Sequence, residues 1–170
     1  MTEDQASNLS VEAERELDAP PPVAWRSWSD GDVLQRWWGP TGFVCPTARM
    51  DVRVSGVSLV SMAAPDWGFP EMFSTWEYTL VDEPRRLEFT FRFADADGTT
   101  LAPGSPLIPP GVPAEVAHVV TFEAIPGERT LMRIVESGYL TPEPIEMSRQ
   151  GLEQSLDKLT PLFRDGDVVA

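Results

Sequence analysis

Apolar and polar residues alternate with period two through six successive stretches of the chain: 43–54, 57–63, 73–81, 87–93, 116–124 and 130–136. Turn chemistry separates them at Ser55-Gly56, Pro65-Asp66-Trp67-Gly68, Asp82-Glu83-Pro84 and Ile125-Pro126-Gly127-Glu128, so six strands in sequential antiparallel hairpins are expected. A seventh strand comes first, where Val11, Ala13, Arg15 and Leu17 alternate with Glu12, Glu14 and Glu16. Between it and the hairpins, prolines 20–22 suit a helix start over 23–28. Asp30 or Asp32 can cap a second helix over 33–38, which Gly39-Pro40 ends. The chain closes differently. Ile145, Ser148, Leu152, Leu156, Leu159 and Phe163 recur every three or four residues, the stripe of one long helix over 142–164, whose last turn Pro161 should kink or shorten.

This order predicts an α+β fold, a seven-stranded curved antiparallel sheet wrapped around a long C-terminal helix, with two short helices after strand 1. A length of 170 residues suits one domain, expected over 9–165. Residues 1–8 read as a flexible acidic tip and 166–170 as a flexible end. Residues 95–114 read as a long loop, since Pro103, Pro106, Pro109, Pro110 and Pro113 cannot donate to a ladder.

A net charge of −14 argues against partners bound through phosphate neutralisation, so neither nucleic acid nor an anionic membrane surface is expected. No apolar run reaches the roughly 20 residues of a spanning helix. The one cysteine, Cys45, leaves no intramolecular disulfide, and the acidic start MTEDQASNLS does not read as a signal peptide, so a cytoplasmic location is expected. Cys45 has no cation or histidine near it in sequence and reads as a passive strand residue. His118 is the only histidine, which excludes a site of several imidazoles; no metal or cofactor is expected. Asp51 and Arg53 read as a bracing ion pair, and Asp95-Ala96-Asp97-Gly98 as a turn, because the remaining ligands of a calcium loop are missing.

Several short motifs arrive in a telling order: Trp37-Trp38-Gly39-Pro40-Thr41-Gly42-Phe43, Asp51-Val52-Arg53-Val54-Ser55-Gly56, Met62, Pro65-Asp66, Arg86-Leu87 and Gly151-Leu152-Glu153-Gln154-Ser155-Leu156-Asp157-Lys158-Leu159. Together they resemble the Hsp90-ATPase-activator-homologue branch of the START-like, Bet v 1-like helix-grip superfamily. The chain departs from that pattern at Ser55, where Gly is usual, at Leu152, where Trp is usual, and in the longer 95–114 loop. The resemblance implies a hydrophobic cavity between sheet and helix, used by different members for lipids, polyketides, plant metabolites or drug sequestration.

Alternation places Leu87, Phe89, Phe91 and Phe93 on one face, and Trp76, Tyr78 and Leu80 on another inward one. The family's register turns Ser58, Val60 and Met62 inward, and Val120 and Phe122 bring His118 with them. Met132 and Ile134 carry Glu136, and Ser148, Leu152, Ser155 and Leu156 look back from the helix. With Trp38 and Phe43, these residues are the expected ligand contacts, although any single aromatic is most simply core. The leading expectation is a monomer or homodimer that binds a small hydrophobic, aromatic or polycyclic metabolite. A polyketide cyclase or aromatase-type enzyme is the alternative, with His118, Glu136 and Tyr78 as candidate catalytic residues. A chaperone-interacting role is a third.

Overall fold

A computed structural model describes residues 9–166 and 168. Glutamates and apolar residues alternate along β1 (Ser10–Leu17), which leads into three one-turn helices, α1 (Pro21–Ala24), α2 (Arg26–Ser29) and α3 (Gly31–Leu34). The strands β2 (Ala48–Arg49), β3 (Val57–Ala64), β4 (Phe69–Asp82), β5 (Arg86–Ala94), β6 (Glu115–Ile125) and β7 (Arg129–Ser137) follow, and α4 (Glu143–Arg164) ends the fold. The seven strands form one antiparallel sheet in the order β1-β7-β6-β5-β4-β3-β2, a meander whose last strand pairs with the first. Sheet and long helix match the expected helix-grip architecture.

Four local expectations are corrected. The first helix begins earlier than predicted, at Pro21, because proline lacks only a donor the first turn cannot use. The second also starts earlier, at Gly31, because Asp30 is the cap and its Oδ1 accepts the Asp32 N–H at 3.0 Å. The stretch 43–54 is not one strand. Only Ala48–Arg49 pairs with β3, with a single further bridge from Val44 to Ala63. The Asp51 N–H goes to the Ser58 hydroxyl (2.9 Å) and the Arg53 N–H to the Asp51 carbonyl, so these backbone groups are satisfied without a ladder. Finally, the register of β4 against β5 shifts between Tyr78 and Leu80. That irregularity reverses the alternation, so Leu80 sits opposite outward Glu88 and Val81 packs on the core instead. Pro161 lies inside α4, which continues to Arg164.

The long helix covers the inner face through Leu152, Leu156, Leu159, Leu162 and Phe163, all buried. It is steered onto β1 by charge. Arg15 points inward from β1 and reaches the carboxylates of Glu153 and Asp157. Lys158 donates to the Phe43 carbonyl at 3.2 Å, and burial holds its ammonium below the usual lysine range. Gly31 is required by close approach, since a Cβ there would stand 2.6 Å from the Ala48 carbonyl oxygen.

The remaining volume is filled from the short-helix segment. Trp28 is fully buried and packs within about 6 Å, between ring centroids, of Trp37, Trp38, Trp76 and Phe89. Its indole N–H meets Met132 Sδ at 3.2 Å, and the Trp37 N–H donates to the Ser27 carbonyl at 2.9 Å. Trp28→Ala should therefore cost about 3–5 kcal/mol in urea unfolding, more than any exposed substitution. Cys45 is buried and its thiol is pushed up to about 11 by that burial. A thiol-specific chromogenic reagent at neutral pH should therefore react with native protein far more slowly than with the urea-unfolded chain.

Candidate functional site

One cross-strand row runs over the inner face from β1 to β4: Val11, Glu136, His118, Phe89 and Tyr78 stand opposite one another in register. The next row carries Val116, Phe91, Trp76 and Ser58. The rings stack where the rows meet. Trp76 lies on Phe89 at 4.6 Å, Phe89 on His118 at 4.7 Å, and Phe91 on His118 at 5.6 Å. The inner face is thus an aromatic wall with an imidazole set into it.

His118 is 4% exposed and Glu136 9%. Their side chains meet, Nε2 to Oε1, at 3.2 Å, and His118 Nδ1 lies 3.2 Å from the Val116 carbonyl oxygen. A carbonyl only accepts, so Nδ1 must carry a proton to bond it. That leaves Nε2 as the ring nitrogen facing the Glu136 carboxyl, so an imidazole and a carboxyl stand within reach of each other in a buried site, the residue types that general acid–base chemistry uses. Tyr139, just beyond β7, is buried, and its hydroxyl is within reach of both Ser148 on α4 and Glu136. Burial, helped by the Glu136 charge, pushes its phenol up to about 12. The phenol therefore keeps its proton at neutral pH.

The third candidate acid-base residue stands apart. The Tyr78 hydroxyl meets Ser58 Oγ at 2.7 Å, and Phe89 lies between it and His118. Burial raises its phenol well above the ordinary tyrosine value. His118 and Glu136 are brought together; Tyr78 and Ser58 form a separate pair.

Of the expected contacts, Trp38, Val60, Trp76, Phe89, Phe91, Phe122, Met132, Leu152 and Ser155 are buried in the interior. Ser155 bonds the Gly151 carbonyl of its own helix at 3.0 Å. Phe43 and Met62 are half-buried. Phe43 packs against Trp67 and Phe69 at the end of the β3–β4 hairpin, away from His118. Trp28 and Tyr139 are core residues that the sequence reading did not single out. Along the wall, a crevice of about 20 Å³ opens between Trp38, Met62, Phe91 and Phe93, room for one water molecule. Among the described residues no group of three or more His, Cys, Asp or Glu is placed to hold a metal ion, and no helix is long and apolar enough to cross a membrane.

The fold is shared with solved proteins. A protein from Arthrobacter aurescens solved by NMR has the same fold (TM-score 0.74, 26% identity, 97% of this chain and 90% of that one). So does one from Chromobacterium violaceum (TM-score 0.73, 26% identity, 91% and 96%). A Silicibacter pomeroyi protein at 22% identity shares the fold (TM-score 0.69, 89% and 95%). No curated protein matches the sequence. The family model described as activator of Hsp90 ATPase homolog 1-like protein matches residues 18–164, which begins just after β1 and takes in the short helices, β2 to β7 and all of α4. On that span, and on the sheet and helix it covers, the chain belongs to the activator of Hsp90 ATPase homolog 1-like family.

Proposed function

We propose that the protein binds a small hydrophobic, aromatic or polycyclic molecule between the sheet and α4, for transport, sequestration or self-resistance, acting in the cytoplasm as a monomer or homodimer. The observation that carries this reading is the aromatic wall of Trp76, Phe89 and Phe91 broken at one point by the buried His118–Glu136 pair. Stacked rings receive a flat apolar body, and a lone polar point fixes its orientation. The crevice at Trp38 and Phe91 marks where such a body would enter, with those two rings swinging aside, since the interior is otherwise filled by side chains.

A second reading is favoured by the same pair. In a cyclase or aromatase-type enzyme, His118 and Glu136 would pass a proton to or from a substrate held on the wall. Tyr78, bonded to Ser58, has no part in that step as placed.

Titration with a panel of fatty acids, naphthols and polyketide-like aromatics should give a saturable change in tryptophan fluorescence, because Trp28, Trp37, Trp38 and Trp76 all lie in the interior. An unsaturable, unaltered signal across the panel overturns the binding reading. Where a bound compound is turned over, the double variant His118→Gln/Glu136→Gln should lower kcat by about 10²- to 10⁴-fold. Binding without turnover leaves the first reading and removes the second.

A further inference from the structure

The chain leaves β7 in a way that breaks the alternation. Glu136 faces inward and Ser137 outward, so continued pleating would turn Tyr139 to solvent. Gly138, at the entry into α4, prevents this. Its φ of 116° lies where an L side chain is strained, and a Cβ there would stand 3.0 Å from the Glu115 carbonyl oxygen. Tyr139 is therefore buried, whereas the next residue, Leu140, is 84% exposed. The Tyr139 hydroxyl has two partners within reach, Glu136 on β7 and Ser148 on α4. A phenol that keeps its proton donates to the carboxyl and accepts from the serine. Ser148, Tyr139, Glu136 and His118 thus stand in line from the helix to the aromatic wall.

Both ends of this line need the phenol. A buried carboxyl requires partners for its oxygens, and those of Glu136 are His118, Nε2 to Oε1 at 3.2 Å, and Tyr139. On the helix side, α4 buries no residue between Pro144 and Leu152, so its continuous apolar contact with the sheet starts only at Leu152. Its first two turns are seated by Pro144 and Ile145 on the apolar side and by Ser148 on the polar one. We propose that Tyr139 is a positioning residue for the His118–Glu136 pair and a latch for the first two turns of α4: one hydroxyl holds the Glu136 carboxyl towards His118 and keeps Ser148 seated. Because the two tasks share one group, lifting those turns from the sheet also releases the carboxyl. The use of the latch rests on the interior binding reading, since a guest lying between the sheet and α4 would change the spacing of Ser148 and Tyr139, and with it the geometry of the pair.

The test uses the whole protein without a guest. His118 is the only histidine, so the imidazole signals of a nitrogen NMR spectrum report the pair directly. Tyr139→Phe keeps the ring and removes the hydroxyl. At neutral pH it should shift the Nε2 signal, from the nitrogen facing Glu136, more than the Nδ1 signal, which the Val116 carbonyl holds. The amides of residues 147–151 should exchange with solvent about tenfold faster, the effect of one lost hydrogen bond on local opening. Ser148→Ala, at a half-buried position, should speed the same amides and move Nε2 less. Tyr78→Phe removes the other tyrosine hydroxyl, which meets Ser58 behind Phe89, and should change neither reading. An Nε2 signal that Tyr139→Phe leaves in place, or that Tyr78→Phe moves as far, overturns the positioning role. Unchanged exchange in both Tyr139→Phe and Ser148→Ala overturns the latch. Should Tyr139→Phe not fold, Ser148→Ala decides through the same two readings. With no guest present, the outcome is separate from the tryptophan titration: a failed titration beside these shifts leaves the latch standing, and the reverse result removes the latch alone.

Discussion

The fold depends on Trp28 reaching across to the sheet. A curved antiparallel sheet with one long helix laid over it encloses more volume than the helix alone fills, and water cannot be left there against an apolar face. The short-helix segment solves this by sending indoles inward: Trp28 stands between Trp37, Trp38, Trp76 and Phe89, with its N–H turned to Met132. Because those contacts join α2 and the residues after α3 to β4, β5 and β7, the cluster ties the local turn structure to the long-range register. The Arg15 contacts with Glu153 and Asp157 then settle where α4 crosses the edge strand.

The meander was legible because period two is a strong signal when one face is buried and the other solvated. Leu87, Phe89 and Phe91 against Glu88, Thr90 and Arg92 show it plainly. The signal failed where the backbone found other partners. Residues 50–54 carry β-branched Val52 and Val54, yet the Ser58 hydroxyl and a local turn take the donors that a ladder would need. It failed again at Leu80, since an irregularity in register leaves composition unchanged while exchanging the two faces. The one-turn helices offer too few residues for any periodicity, which is why Trp28 drew no attention despite being fully buried.

Much the same division holds for the site. That His118 and Glu136 face inward follows from alternation on two separate strands. That they touch does not, because contact needs the register between those strands, and the register is set by the Ile125 to Arg129 turn. Tyr139 lies past the end of β7, where alternation has stopped and only the entry into α4 turns its ring inward. Among the described residues, twelve carboxylates are spent on arginine partners.

The position of Lys158 has a practical consequence. It is the sole lysine of the chain, and its amine is half-buried against the Phe43 carbonyl, between the long helix and the segment that leads to β2. Apart from the terminal amine, acylating reagents therefore have one target, and that target is shielded only while α4 is seated. Undocking of the helix is recorded as a single added mass, a covalent clock that the sequence has wound by placing arginine at every other cationic position.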